Sequence, residues 1–417
     1  MDRPISCIVI GAGSRGRGYA GYATLHPDRA RVVGVAEPCE PARRLLAEQH
    51  CIPAANVHVD WREVAARGKL ADAVVITTQD AMHTEPAIAF AALGYHILLE
   101  KPMAPSEDEC ARIVAAVKAA GVLLAVGHVL LYTPYTRALK QQLDQGAVGD
   151  VVSIQHLEPV GYWHQAHSYV RGSWRREADA TFMLMAKSCH DMDWIRHVMG
   201  RRCEAVSSFG SLTHFRRAQK PAEAGAATRC LDCSHEPHCP YSARKLYLGM
   251  LERGELTWPL TVVSFGLDRD SVTRALRCGR YGRCVYECDN DVVDHQVVNL
   301  QFEGGRTASF TMTAFTPIAG RQTRIFGTRG QIEGDGSVIR VTDFLTDTTT
   351  VIDTQASAAS LAGEHGGGDH GLMGAFVEAV RSGDPGRLLS GPDETLESHR
   401  MVFAAERARR EQRVVRL

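Results

Sequence analysis

Residues 5–18 read Ile5-Ser6-Cys7-Ile8-Val9-Ile10-Gly11-Ala12-Gly13-Ser14-Arg15-Gly16-Arg17-Gly18. A mostly apolar run, Ile5 to Ile10, feeds directly into Gly-x-Gly-x-x-Gly, and a helix-compatible segment follows. This strand–turn–helix context is what gives the glycine pattern meaning. Gly11 permits the tight turn, Gly13 lets a pyrophosphate approach the backbone, and Gly16 lets the helix pack close to the strand. Ser14 and Arg15 open the helix, whose unsatisfied N–H groups and positive dipole end suit phosphate.

The next apolar strand, Arg31-Val-Val-Gly-Val-Ala-Glu37, ends in an acid 21 residues after Gly16. That is close to the spacing of roughly 20 at which a carboxylate holds a ribose 2′-hydroxyl. A carboxylate there repels a 2′-phosphate, so NAD is expected rather than NADP, with Arg43 and Arg44 working against that preference.

The totals fit this reading. A chain of 417 residues is too long for one ordinary core, so two domains are expected. Lys+Arg 47 against Asp+Glu 48 gives a net charge of −1, which supplies no basic excess for a nucleic-acid partner. No apolar run approaches the roughly 18 residues of a membrane span, and Met1-Asp2-Arg3-Pro4 has no signal-peptide shape, so a cytoplasmic protein is expected. Twelve cysteines in such a chain read as reduced thiols or metal ligands.

Beyond Glu37 the pattern repeats. Residues 40–50 have helical periodicity, 71–78 form a buried strand, 85–93 a helix and 95–99 a strand. Residues 106–120 form a helix capped by Ser106, and 123–126 a last strand before a boundary at Gly127. Alternation of this kind specifies a doubly wound parallel sheet. The expected division is 1–127 for nucleotide binding and 128–417 for substrate binding and oligomerisation, with the C-terminal helices packing back on the first domain. Glu100-Lys101-Pro102 follows the strand at 95–99, and strand carboxyl ends face the ligand crevice of such sheets, so Lys101 is aimed there.

With the fingerprint, Glu100-Lys101-Pro102 and a later His190-Asp191-Met192-Asp193, the chain resembles the Gfo/Idh/MocA family, the glucose–fructose oxidoreductase and inositol dehydrogenase group. The resemblance covers nearly the whole chain. It implies a Rossmann domain followed by an α+β domain built on a large, mostly antiparallel open sheet, a nicotinamide cofactor, and a carbohydrate or cyclitol substrate. It further implies that Lys101 and His190 line the catalytic site, and that Thr77, His83 and Glu100 lie along the cofactor. The sequence departs from the family pattern at one position: relatives carry an aspartate one helical turn before the histidine, and this chain has Ala186 there, beside Lys187.

In the second domain an aromatic and basic segment holds Glu158, Tyr162, Trp163, His164, His167, Tyr169, Arg171 and Trp174. It reads either as one side of a sugar pocket or as a surface loop packed by its own rings. His164, Arg171, Trp174 and Asp193 are the candidate substrate contacts. Lys101, Lys187 and Arg171 are expected to form a cationic pocket for an acidic or highly oxygenated sugar. Residues 182–199 form the helix that carries Lys187 and His190 on one broad face, and the resemblance implies that His190 is the general base.

Cys230-x2-Cys233 with Cys239 six residues on has the character of a structural zinc set, with Cys278, Cys284 or Cys288 as a source of a fourth ligand. The alternative is a group of reduced thiols in a long insertion. Residues 292–302, 307–314 and 321–326 alternate as strands of an open sheet, whose second face predicts a homodimer or homotetramer. Residues 365–370 read as a hinge before two terminal helices.

Two enzymatic readings result. The first is an NAD-dependent oxidoreductase that moves hydride between a sugar, sugar-acid or cyclitol carbon and the nicotinamide. The alternative is a redox-neutral, NAD-dependent glycosidase acting by transient oxidation, elimination, hydration and re-reduction.

Overall fold

A computed structural model describes residues 3–355 and 365–417. Its first sheet is six-stranded and parallel throughout, in the order β3-β2-β1-β4-β5-β6. The strands are β1 (Ile5–Ile10), β2 (Ala30–Ala36), β3 (Val57–His58), β4 (Ala73–Ile76), β5 (His96–Leu99) and β6 (Leu124–Val126). Between them run α1 (Ser14–Leu25), α2 (Glu40–Gln49), α3 (Trp61–Ala65), α4 (Thr84–Ala92) and α5 (Glu107–Ala120). Every residue of β4 is buried, as expected of a strand covered by helices on both faces. Ser106 caps α5 by accepting from the Glu109 N–H at 3.3 Å, and Gly121 ends the helix in the left-handed region.

Three helices bridge to or sit within the second domain: α6 (Pro134–Asp144), α7 (Tyr162–His164) and α8 (Met183–Met199). Its nine strands are β7 (Val151–Pro159), β8 (Cys203–Ser211), β9 (His295–Phe302), β10 (Arg306–Thr313), β11 (Gln322–Gly327), β12 (Gly330–Gly334), β13 (Val338–Asp343), β14 (Thr348–Asp353) and β15 (Val415–Arg416). Their order is β14-β13-β12-β11-β7-β10-β9-β8-β15, antiparallel everywhere except between β7 and β10. Inward residues such as Ile154, Val298, Phe310 and Ile325 are fully buried in the same core as the apolar side of α8.

Between β8 and β9 the chain makes a folded excursion rather than a loop. Short turns and the helices α9 (Gly249–Glu252), α10 (Leu260–Val263) and α11 (Arg269–Cys278) surround their own small core of Tyr247, Leu248, Leu260, Val272 and Leu276. Two of these helices have only four residues, too few for periodicity to reveal them.

The last helices, α12 (Gly368–Ser382) and α13 (Pro392–Glu411), return to the first domain. Arg15 donates to Asp369 at 2.6 Å, Lys118 pairs with Asp393 at 2.6 Å, and His399 Nε2 accepts from the Met103 N–H at 3.0 Å. These contacts join α12 and α13 to the first domain, and Lys101 at the end of β5 meets α8 of the second.

Candidate active site

The glycine turn has the geometry its spacing predicts. Gly11 has φ +94°, and a Cβ on it would lie 2.7 Å from the Thr77 carbonyl oxygen. A Cβ on Gly16 would lie 2.0 Å from the Gly11 carbonyl oxygen, so only glycine allows α1 to approach the strand end. At Gly13 an added Cβ would meet nothing within 4 Å, which is the open approach a pyrophosphate requires. Glu37, the residue after β2, accepts from the Ala12 N–H at 2.7 Å and from the Cys39 N–H at 2.8 Å. Its carboxylate thus braces the turn and retains lone pairs for a ribose diol. Residues 11–16 and Glu37 therefore fit a bound dinucleotide.

Arg15 and Glu100 stand behind this turn as a brace. Arg15 pairs with Glu100 at 3.4 Å and with Asp369, while Glu100 accepts from the Tyr19 hydroxyl at 2.7 Å. His83 is fully buried, with Nδ1 2.8 Å from the Pro102 carbonyl oxygen, so it supports the segment that carries Lys101. The Lys101–Pro102 peptide is cis. Thr77 donates to the Gly11 carbonyl at 2.7 Å and ties the β4 end to the turn.

Lys101 reaches across the cleft. Its ammonium donates to the Ala186 carbonyl at 2.6 Å, on α8 and one turn before His190. His190 is buried, with its ring 5.7 Å edge-on to His128, which in turn lies 5.4 Å from His399. Burial and the nearby Lys101 charge push His128 down to about 3, so a neutral imidazole backs His190 at physiological pH.

Lys187 does not stand as an unpaired cation. It pairs with buried Glu158 at 2.8 Å, and Glu158 also faces Arg321 at 3.1 Å. Arg321 pairs with Asp191 at 2.5 Å, and Asp191 accepts in turn from the His156 ring at 3.1 Å. Arg321 and His156 hold the Asp191 carboxyl well below its usual range despite burial. Arg171 is committed elsewhere: its guanidinium donates to the Arg283 carbonyl at 2.8 Å and the Tyr241 carbonyl at 2.7 Å, within the excursion. The expected cluster of Lys101, Lys187 and Arg171 is therefore corrected: one cation is neutralised by Glu158, and another is bound into a different part of the domain. Sequence spacing does not show either partner.

The segment after β7 is not a surface loop. Gln165–Arg171 forms a π-helical turn with all seven residues buried. His164 lies between the two regions; burial first, then Lys187, His167 and Lys101, hold its pKa well below the usual value, so it is a neutral ring beside the cleft. Trp174 donates through Nε1 to Asp80 at 3.2 Å. Asp80 was not anticipated. It is buried in the loop after β4 near His83 and Lys101, and burial raises its pKa. The rule that strand carboxyl ends line the crevice reaches this residue, since it lies three positions before His83. Asp193, expected to meet substrate, is instead fully buried and faces Ser398 of α13; burial pushes its carboxyl up to about 7.

The thiols of Cys230, Cys233 and Cys239 line one small cavity together with Cys284. Among the described residues no three His, Cys, Asp or Glu side chains gather closely enough to hold a metal ion. Cys230 Sγ instead accepts from the Ala243 N–H and from Arg171, both at 3.4 Å.

Comparison with known proteins agrees with this architecture. A model of an oxidoreductase family's NAD-binding Rossmann fold matches residues 5–128, and one of the same family's C-terminal alpha/beta domain matches residues 140–417. The chain is 27% identical to a 2,7-anhydro-N-acetylneuraminate hydratase of Escherichia coli, over 49% of its length and 53% of the relative's. It is 30% identical to an inositol 2-dehydrogenase of Burkholderia multivorans, over 46% of its length and 53% of the relative's. The chain thus spans about half the length of the curated relatives it matches. The solved structure of an Agrobacterium radiobacter oxidoreductase with NAD+, L-tartaric acid and magnesium superposes with a TM-score of 0.72 at 16% identity, covering 99% of this chain and 98% of that one. No helix among the described residues is long and apolar enough to cross a membrane.

Proposed function

The chain belongs to the Gfo/Idh/MocA family of oxidoreductases, and from that premise we propose that it is an NAD-dependent oxidoreductase acting on a sugar, sugar-acid or cyclitol hydroxyl carbon. The observation that carries the proposal is the bond between Lys101 and Ala186, which joins the end of β5 to the helix of His190. The turn at residues 11–16 holds the pyrophosphate and Glu37 the adenosine ribose; the Glu37 carboxylate favours NAD over NADP. NAD, when bound, supplies the hydride-accepting ring.

The protein supplies orientation and charge. Lys101 donates a charge-assisted hydrogen bond to the substrate oxygen and stabilises it as it becomes an alkoxide. His190 takes the hydroxyl proton as general base, and the neutral His128 behind it adds no opposing charge. Trp174 fixes the buried Asp80 carboxylate in the loop after β4. Exposed apolar side chains on the large sheet, including Val152, Phe209 and Val351, support a homodimer or homotetramer in which a second copy covers them. A zinc ion in the excursion would have to draw Cys230 away from Ala243 and Arg171; metal analysis of chelator-free protein tests it, and zinc-free protein removes it.

A redox-neutral second reading is favoured by one departure, Ala186 in place of the family's aspartate, and by the relative named as a hydratase. Transient oxidation acidifies the neighbouring C–H, so elimination and hydration follow with a modest base. The test offers free sugars, uronates, cyclitols and glycosides to the protein with NAD, recording NADH absorbance and product mass. NADH formed in step with oxidised product establishes the dehydrogenase. Product formed without net NADH, yet dependent on NAD, establishes the redox-neutral enzyme. A full panel with neither result overturns both.

A further inference from the structure

Alanine at position 186 leaves His190 without a carboxylate one turn earlier on α8, and the Ala186 carbonyl is taken by Lys101. Asp191, the residue after His190, gives its carboxylate to Arg321 and His156. The His190 ring is met instead by a histidine of the first domain. His128 lies with its ring centroid 5.7 Å from that of His190 and the two planes at 78°. On its other side stands His399 of α13, 5.4 Å away at 72°. Edge-to-face contacts of this kind are favoured because the positive edge of one ring meets the negative face of the other.

The row of three rings is anchored on both sides of Lys101. His128 comes two residues after β6, and Gly127 between them lets the main chain close on the Glu100–Lys101 segment. A Cβ on Gly127 would lie 2.7 Å from Glu100 Oε2 and 3.0 Å from the Lys101 main-chain nitrogen. The Gly127 N–H donates to the Leu99 carbonyl at 2.8 Å. At the far end of the row His399 Nε2 accepts from the Met103 N–H at 3.0 Å. Residues 99 and 103 flank Lys101, so the backbone that places the ammonium also places the rings.

What His128 offers its neighbours is the shape of its ring. It is fully buried, and among the described residues neither of its ring nitrogens has a hydrogen-bond partner. We propose that His128 is a positioning residue: its ring sets the plane of the His190 imidazole and, through the shared anchors, sets that plane relative to the Lys101 ammonium. The proposal rests on the reading of His190 as general base. A base must meet the hydroxyl proton along the axis of its ring nitrogen, and a misplacement of about 1 Å costs on the order of 10²-fold in rate.

The test compares His128→Leu, which fills a similar volume without a flat ring, with His128→Phe, which keeps one. Turnover is measured with NAD and the panel compound that wild-type protein oxidises fastest. In the leucine variant kcat is expected to fall about tenfold or more while KM changes by less than about threefold. The phenylalanine variant is expected to stay within about threefold of wild type in both. His128→Met, flexible enough to fill the same space, replaces the leucine variant if that protein does not fold. Crystal structures of the NAD-loaded proteins read the ring itself: the His190 plane is expected to turn by roughly 30° or more in His128→Leu and to keep its place in His128→Phe. A folded His128→Leu with wild-type kcat overturns the proposal, and so does a His190 plane that does not move in it. Equal losses in the two variants assign the effect to the polarity of the imidazole and also overturn it. Wild-type protein that turns over no compound of the panel removes the general-base reading, while the crystallographic comparison still decides whether His128 sets the ring.

Discussion

Lys101 Nζ lies 2.6 Å from the carbonyl oxygen of Ala186, so an ammonium from the end of a parallel strand is tied to the helix that presents His190 one turn later. An aspartate at position 186 would take that ammonium with its side chain. Alanine leaves only the main-chain carbonyl, a neutral acceptor that fixes the position of the charge without cancelling it. The Lys101 ammonium therefore keeps its charge beside α8, where the proposed function needs one, and Glu158 neutralises the adjacent Lys187.

Lys101→Met is expected to lower kcat/KM by roughly 10²–10³-fold, the usual effect of removing one donor from a developing oxyanion. NAD affinity should change by less than about threefold, because the turn and Glu37 are untouched. Steady-state kinetics with a fluorescence titration of NADH checks both.

Gly13→Ala and Gly16→Ala should separate binding from folding. An added methyl at Gly13 meets only open space, so stability is retained while NAD affinity falls more than about tenfold. At Gly16 the same methyl overlaps the Gly11 carbonyl, so this variant should lose about 1–3 kcal/mol of stability. Urea unfolding and NADH titration of the two proteins report the difference.

Glu37→Ala removes a carboxylate that accepts from two main-chain N–H groups. NAD affinity should drop about tenfold, and the preference for NAD over NADP should shrink by a similar factor. Parallel titrations with the two cofactors read the ratio directly.

His128 provides a pH test. Its folded pKa is held to about 3 against an unfolded value of 6.5, so below pH 6.5 the unfolded chain binds a proton that the native state refuses. Its contribution to stability is complete above pH 6.5 and is lost as pH falls toward 3, by at most ~1.4 kcal/mol per pH unit. His128→Phe should therefore gain on the wild type as pH is lowered across that window. Paired urea titrations at pH 7, 6 and 5 (values chosen to enter it by about 1.5 units) measure the gain, and parallel curves would exclude it.

Arg321→Met leaves Asp191 and Glu158, both buried, without their shared cation. A loss of about 3–5 kcal/mol is expected, the cost of breaking a buried pair from one side. Chemical denaturation of the cofactor-bound protein gives the value.

Local chemistry in the sequence determined the nucleotide half. The glycine spacing, Glu37 at a strand end, Ser106 as a cap and the alternation of apolar strands with helices each depend on neighbours within one strand–helix unit, so the order of residues suffices. The strands at 292–302, 307–314 and 321–326 were legible for the same reason, since alternation is a local property. Tertiary structure decided the partners. Glu158 lies 29 residues from Lys187, and Arg321 lies 130 residues from Asp191. Their meeting depends on the register of β7 beside β11 and on how α8 crosses that sheet. Arg171 was drawn into the excursion, Asp193 turned toward α13, and Asp80 placed beside Lys101 for the same reason. A side chain's type sets what it can bind, but only the packing of distant elements sets which group stands opposite it.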